Sequence, residues 1–428
     1  MKTFKSIPGT FDVLPDGSSS GGDTIAPSRV WRYLESVVHE TMGRYGAGEI
    51  RTPIIEPTDL IARGIGALTD IVTKEMFAFE RGSTHYVMRP EVTAPVMRAY
   101  LQHNLAQKGG TQRLYYIGPC FRAERPQKGR YRQFHQFGLE VIGSEDARAD
   151  AETITSLRDV LSGVGLKQYT LRINSLGDAD SRPAYKKALV EYLTPLADEL
   201  SDISRKRLET NPLRILDTKS DKEQALLKDA PLLSDFIDSE SRDHHDQVKA
   251  FLTDVGMDFV EDPFLVRGLD YYSRTAFEFE SPLLGAQSSI AGGGRYDLLS
   301  KEVGSKQVVP AVGFAAGMER ILLACAAEGI SGPEAARIDV FVVALGDAAV
   351  NWTFGAAAQL RAQKLDVSFD LKGRSMKAQM REANRQEARF VAIVGDDELA
   401  AGEVQLKDME TGEQSTVRLE DIPHRVNA

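Results

Sequence analysis

The spacing of apolar and polar positions changes several times along the chain, and each change predicts a different element. Residues 28–45, "SRVWRYLESVVHETMGRY", carry Val30, Leu34, Val37, Val38, Met42 and Tyr45 as one helical stripe, with Ser28 placed to cap the helix. The stripe is a packing face, for the core or for a second subunit. Residues 49–57, "EIRTPIIEP", then read as one strand that its prolines confine to an edge or an end.

Period two follows. "LYYIGPCFR" and "HQFGLEVIG" predict an antiparallel hairpin with a long charged tip, "AERPQKGRY". Alternation along the second strand puts Gln136, Gly138 and Glu140 on one face and Phe137, Leu139 and Val141 on the other. One face is apolar; the other carries an amide, a gap and a carboxylate. Further strands are expected at "YTLRINSL", "TAFEFES" and "SSIAGGGRYD". From about 178 to 258 the sequence is charged, Leu-punctuated and helical, which suits an insertion between strands of one domain.

Residues 326–337, "AAEGISGPEAAR", read as a linker closing a first domain over 1–325. Behind it "IDVFVVALG", "LDVSFDL" and "RFVAIVG" alternate with helical segments, so 338–428 is expected to be a small parallel α/β domain. The whole is therefore an α+β chain with an α/β tail.

Composition narrows this. At 428 residues the chain exceeds what one core serves, which agrees with the domain division. A net charge of −10 makes it no general nucleic-acid binder, so any such contact must use local basic faces. Two cysteines and the absence of CxxC or HExxH give neither a disulfide framework nor a metal site. The N-terminus lacks a signal-peptide core, and "AVGFAAGMERILLACAA" is interrupted by Glu319 and Arg320, so a cytoplasmic protein with no membrane segment is expected.

Candidate chemistry clusters at a few places. The hairpin tip sets Arg122, Arg125, Lys128, Arg130 and Arg132 against Glu124 alone, a charge pattern suited to phosphates. "MRPEVTAP" offers Glu91 and Thr93; Glu91 either grips a substrate amine or caps a helix. "AGGGRYD" fits neither GxGxxG nor a P-loop, and its glycines suit close approach of a flat ligand or another backbone. "GFAAGMERILLAC" reads as a turn entering a helix, with Arg320 near its start either at a phosphate or at the surface. Arg374, Lys377, Arg381, Arg385 and Arg389 recur every three or four residues, as one helix face that is either solvated or a phosphate track.

In order along the chain these segments resemble the histidyl-tRNA synthetase family of class II aminoacyl-tRNA synthetases. "PGTFDVLP" is similar to its N-terminal signature, the first helix with "EIRTPIIEP" to motif 1, "CFRAERPQKGRYRQFHQFGLEVIG" to motif 2 and "AVGFAAGMERILL" to motif 3. "LVRGLDYY" and "GGGRYD" resemble the two segments that set the histidine enzymes apart. One departure is Val92, where the family form has glycine.

The resemblance implies an antiparallel class II catalytic domain, a C-terminal anticodon-binding domain and a homodimer joined partly through motif 1. It also implies roles. Arg122 would bind the ATP α-phosphate and the substrate carboxylate, with Arg267 as a second cation there and Phe134 stacked on adenine. Arg320 would hold the γ-phosphate, with Glu124 and Arg130 also at ATP. Glu91 and Thr93 would take the α-amino group of L-histidine beside Gln136, while Glu140 and Tyr272, with Tyr271 close by, would read the imidazole. Arg374, Lys377, Arg381 and Arg385 would face the histidine tRNA, and Mg²⁺ would accompany ATP. An alternative within the same fold is the non-catalytic regulatory subunit of ATP phosphoribosyltransferase; another is a class II enzyme for a different amino acid.

Overall fold

The computed structural model describes residues 3–427 apart from 21, 67, 68, 179, 219 and 270, so Asp270 of "LVRGLDYY" lies outside the described residues. The chain divides into two compact units, Met1–Pro333 and Glu334–Ala428.

The Gly/Ser-rich start of the first unit is a small hairpin, β1 (Ser18–Ser20) with β2 (Asp23–Ile25), rather than a bare loop. Helix α1 (Ser28–Arg44) follows. Pro27 takes the cap position and no side chain closes the first turn, so Ser28 is the first helical residue and not its cap. Leu34, Val37, Val38 and Met42 are buried in one core with Phe137, Leu139 and Val141, which settles the stripe as a packing face. "EIRTPIIEP" makes two strands instead of one: β3 (Gly48–Glu49) and β4 (Ile55–Pro57) belong to different sheets. Pro53, lacking an N–H, stands between them.

Helix α2 (Thr58–Ile65) leads to β5 (Phe77–Arg81) and β6 (Thr84–Met88), which complete a three-stranded sheet in the order β4-β6-β5. Helix α3 (Thr93–Gln102) precedes the hairpin itself, β7 (Gln112–Phe121) and β8 (Gln133–Ile142), paired in antiparallel register from Gln112 opposite Ile142 to Phe121 opposite Gln133. Then come α4 (Ala147–Gly163), β9 (Thr170–Ser175), α5 (Ser181–Leu193), α6 (Asp202–Thr210), α7 (Asp221–Leu227), α8 (Ser239–Asp254), β10 (Val260–Glu261), β11 (Ser273–Glu280), β12 (Ser289–Arg295), α9 (Leu299–Glu302), β13 (Ala311–Gly317) and α10 (Met318–Ala327).

The main sheet has the order β10-β9-β11-β12-β13-β8-β7-β3. Its central strands are antiparallel, and only the short edge strands β10 and β3 run parallel to their neighbours. The start of "GFAAGMERILLAC", expected as a turn, belongs to the strand β13. Both its neighbours pair with it, and Val312, Phe314 and Ala316 enter the core that also holds α1. Sequence periodicity misses such a strand because small residues fill the positions facing the site.

The helical segment is divided in its packing. Tyr185, Leu189, Leu193 and Leu227 share a second core with Tyr271 and Tyr272, whereas Val248 and Leu252 of α8 return to the main core beside Leu157 and Val160 of α4. A buried ion pair reinforces the main core: Arg295, fully buried at the end of β12, pairs with Asp150 of α4, and His244 of α8 lies 3.3 Å from the same carboxylate.

The second unit contains β14 (Val340–Ala344), α11 (Asp347–Ala362), β15 (Val367–Phe369), α12 (Met376–Arg385), β16 (Phe390–Val394), α13 (Asp396–Ala401), β17 (Val404–Asp408), β18 (Gln414–Val417) and α14 (Ile422–Val426). The sheet order is β15-β14-β16-β17-β18. Three strands are parallel as expected, but β17 and β18 add an antiparallel edge. The five cations do not share a helix face: α12 spans only Met376–Arg385, leaving Arg374 before it and Arg389 after it. Arg374 pairs with Asp370 and Glu382, Arg385 with Glu382, and Arg389 with Asp339.

Candidate active site

The site lies on the polar face of the main sheet, and glycines make the room for it. Glu140 on β8 sits opposite Gly313 on β13, and a Cβ at Gly313 would overlap the Glu140 carboxylate. Glu278 on β11 sits opposite Gly292 on β12, and a Cβ there would overlap the Arg267 guanidinium. The glycines of "AGGGRYD" thus admit this chain's own arginine. The Glu140 carboxylate thus lies over β13 and the Arg267 guanidinium over β12.

Around Glu140 the contacts are tight. Thr93 Oγ1 donates to Glu140 Oε1 at 2.7 Å, and the Tyr296 hydroxyl donates to Oε2. Glu140 is fully buried, and loss of hydration pushes its carboxyl up to about 8 against the opposing effect of those two donors. The ring of Tyr272 packs 4.6 Å from that of Tyr271, which lies 5.6 Å from Tyr296. The hydroxyl of Tyr116, buried opposite Gly138, has no hydrogen-bond partner among the described residues.

Glu91 does what its blander reading required. Its carboxylate accepts the N–H groups of Thr93 at 2.8 Å and Ala94 at 3.0 Å, closing the N-terminus of α3. This places it beside Thr93 and next to Pro90, whose carbonyl accepts Arg122 Nε at 3.1 Å. Burial raises the Glu91 carboxyl above its usual range. Val92 has φ −117°, a value open to any residue, so the departure from glycine asks nothing special of the backbone.

The cationic end is built from four segments. Arg122 lies 5.2 Å over the Phe134 ring, Arg130 pairs with Glu124 at 2.9 Å, and Cys120 Sγ donates to Gln136 Oε1 at 3.4 Å. Arg267 pairs with Glu278 and lies 5.8 Å over the Tyr272 ring, while its Nε is buried without a hydrogen-bond partner among the described residues. Arg320 gives Nε to the Gly129 carbonyl at 3.1 Å and Nη1 to the Ser289 carbonyl. Burial, then the nearby Arg130, pull Arg320 down to about 10, so it stays charged at neutral pH; Glu124, Glu278 and Arg122 also lie within its electrostatic reach.

A broad antiparallel sheet presenting buried acids at one end and arginines from separate segments at the other defines the catalytic domain of a class II aminoacyl-tRNA synthetase. The chain belongs to the histidyl-tRNA synthetase family: the model of that description matches residues 25–321, and an anticodon binding domain matches 339–428. A histidine–tRNA ligase of Chloroherpeton thalassium is 46% identical over 424 residues, 98% of this chain and 96% of the relative. The crystal structure of apo S. aureus histidyl-tRNA synthetase is 36% identical with a TM-score of 0.81, covering 100% of both chains. A Bacillus halodurans chain described as an ATP phosphoribosyltransferase regulatory subunit/histidyl-tRNA synthetase shares the fold at a TM-score of 0.62 and 20% identity, over 92% of this chain and 99% of its own.

Sequence reasoning missed Tyr116, Tyr296, Glu278 and Glu319. Tyr296 stood in a quoted motif, but nothing local shows that its hydroxyl reaches Glu140. Glu319 precedes Arg320 and accepts the backbone N–H of His135 at 2.8 Å, fastening α10 to β8. Its only signal was an acid buried in an apolar run.

Proposed function

We propose that the chain activates L-histidine with ATP, forming histidyl-adenylate and pyrophosphate, and then transfers histidine to the 3′ end of its tRNA. The observation that carries this reading is the buried pair of Glu140 and Tyr296 at one end of a site whose other end gathers Arg122, Arg267 and Arg320. Neutral imidazole has one donor and one acceptor nitrogen, so it suits a pocket offering a carboxylate and phenols. An amino acid lacking that pair would leave buried polar groups unmatched, a penalty of about 10⁴-fold in comparable sites.

In this reading the substrate carboxylate attacks the α-phosphorus, a C–O–P linkage forms and the bond to the β-phosphate oxygen breaks. Nucleophile and electrophile are both anionic, so Arg122 and Arg267 hold them together, and Arg320 takes the charge that leaves with pyrophosphate. No base is required, because the carboxylate is already ionised. Phe134 supplies the adenine face once Arg122 moves to the phosphate. Glu91 and Thr93 lie next to each other for the α-amino group, with Gln136 beside them, and Tyr271 and Tyr272 wall the imidazole.

Among the described residues no cluster of three or more His, Cys, Asp or Glu is placed to hold a metal alone. Mg²⁺ needs only one or two carboxylates when it arrives on phosphates, and Glu124 and Glu278 near Arg320 fit that demand. Bound there, it would neutralise charge on the triphosphate. In the second unit Lys377 and Arg381 have no acid among the ion pairs of the described residues, which favours them over Arg374 and Arg385 for tRNA phosphates. A homodimer is supported by exposed Ile54, Ile55 and Phe79 on and beside the three-stranded sheet. A cytoplasmic setting is supported by the two free, buried thiols, and no helix among the described residues is long and apolar enough to cross a membrane.

ATP–pyrophosphate exchange measured with each amino acid tests the reading. Exchange with histidine alone is expected. Exchange with none would return the regulatory-subunit alternative, and exchange with another amino acid would exclude histidine as the substrate.

A further inference from the structure

The charged hairpin loop is held from two sides at one residue, Gly129. The N–H of Gly129 donates to Asp23 Oδ2 at 2.9 Å, and the Tyr131 hydroxyl donates to the same oxygen at 2.6 Å. The carbonyl of Gly129 accepts Arg320 Nε at 3.1 Å. Gly129 therefore links β2 of the N-terminal hairpin to the first turn of α10. Asp23 is 4% exposed, and its other oxygen, Oδ1, has no hydrogen-bond partner among the described residues, where the hydrogen bonds of this buried carboxylate go to the loop. The N-terminal segment grips the loop a second time: the Gly9 carbonyl accepts the Arg132 N–H at 2.7 Å and the Pro8 carbonyl accepts Arg132 Nη1 at 3.1 Å.

The chemistry of this arrangement is specific. Arg320 Nε and Nη1 are received by main-chain carbonyls, of Gly129 and Ser289, which orient the guanidinium. Asp23 acts on the other side of Gly129, where a charged acceptor strengthens the hydrogen bond to the Gly129 N–H.

We propose that Asp23 is a positioning residue for the nucleotide end of the site: it fixes Gly129 through the N–H and, through the carbonyl of the same residue, aims Arg320. The proposal deepens the reading of Arg320 as a triphosphate contact and rests on it. Asp23→Ala is expected to raise KM for ATP in pyrophosphate exchange by about tenfold, the effect of losing one hydrogen bond to a charged group, with KM for histidine within about twofold. Asp23→Asn keeps the shape and one acceptor, and is expected to raise KM for ATP by about threefold. It decides the question should Asp23→Ala fail to fold.

Trypsin gives a readout apart from activity. Cleavage after Lys128 or Arg130 is expected to be about fivefold faster in Asp23→Asn than in the wild type, because the loop opens more often. Unchanged KM for ATP, or an equal rise in KM for histidine, overturns the positioning role. Should the wild type show no histidine-dependent exchange, the triphosphate reading falls by itself; unchanged tryptic cleavage in that case overturns the hold of Asp23 on the loop.

Discussion

The guanidinium of Arg267 occupies the space that a side chain at Gly292 would need, and Glu278, opposite Gly292 in the β11–β12 register, supplies its counter-charge. One position on β12 thus decides whether a cation from a different segment can lie on the sheet. Gly292→Ala is expected to fold, with a stability cost of about 1–3 kcal/mol for overpacking, and to lose about 10²-fold in single-turnover adenylation as Arg267 is displaced. A variant that keeps its rate within about threefold while remaining folded would separate the glycine from the chemistry.

Removing the cation directly gives a companion measurement. Arg267→Ala is expected to lower the adenylation rate by about 10²-fold or more, the range for one preorganised donor at developing charge. Arg267→Lys restores little of it, because a point charge cannot keep both the Glu278 pair and a phosphate contact. Rapid-quench measurement of adenylate formation checks both variants, and a loss under about threefold for Arg267→Ala would remove the role.

Glu140 makes a prediction about pH. Its folded carboxyl, at about 8, lies above its unfolded value, so between roughly pH 4.5 and 8 the native state binds more protons than the unfolded chain. Stability from this group therefore falls as pH rises through that window and levels off above it. Glu140→Gln cannot titrate, so its stability relative to wild type is expected to improve steadily from pH 5 to pH 8 in urea denaturation. The same variant is expected to bind histidine poorly. A constant offset across the pH range would mean that Glu140 is already ionised in the unliganded fold.

Asp150 and Arg295 test the core behind the site. Arg295 is fully buried and depends on Asp150, with further bonds to the Ser144 carbonyl at 2.8 Å and Asp297 at 3.2 Å. Asp150→Ala leaves that guanidinium buried and short of its main partner, and is expected to cost about 3–5 kcal/mol of stability. The double replacement with apolar residues is expected to recover most of the loss. Chemical denaturation of both variants is the measurement; a cost below about 1 kcal/mol for the single change would show that Asp297 alone suffices.

The division between Pro333 and Glu334 sets where the chain can be cut. A fragment ending at residue 333 keeps Ile330, which packs against the main core. It is expected to retain pyrophosphate exchange within a few-fold and to lose most aminoacylation of tRNA. Equal loss of both activities in a folded fragment would mean that the second unit serves the chemistry itself. In the full chain, Lys377→Ala and Arg381→Ala are each expected to reduce the salt dependence of tRNA binding by about one unit of slope.

Much of this was legible in the sequence where information is local. Alternation in "HQFGLEVIG" placed Glu140 and Gln136 on the polar face, and the Leu-punctuated run marked the helical segment. The ordered motifs named the family. Local pattern failed where neighbours decided the outcome. Residues 311–317 are a strand because strands on both sides pair with them, and "EIRTPIIEP" divides because its two halves join different sheets.

What the chain alone determined was which residue types were available: a run of arginines, isolated buried acids, tyrosines in pairs and glycines in strands. Tertiary structure decided who meets whom. Tyr296 reaches Glu140, Tyr272 packs beneath Arg267, and Asp23 holds a loop more than a hundred residues away. Those choices follow from strand register and from where a missing Cβ leaves space, and neither is set within any one segment. Periodicity fixes which face a side chain takes; only the neighbouring strand fixes what lies across from it.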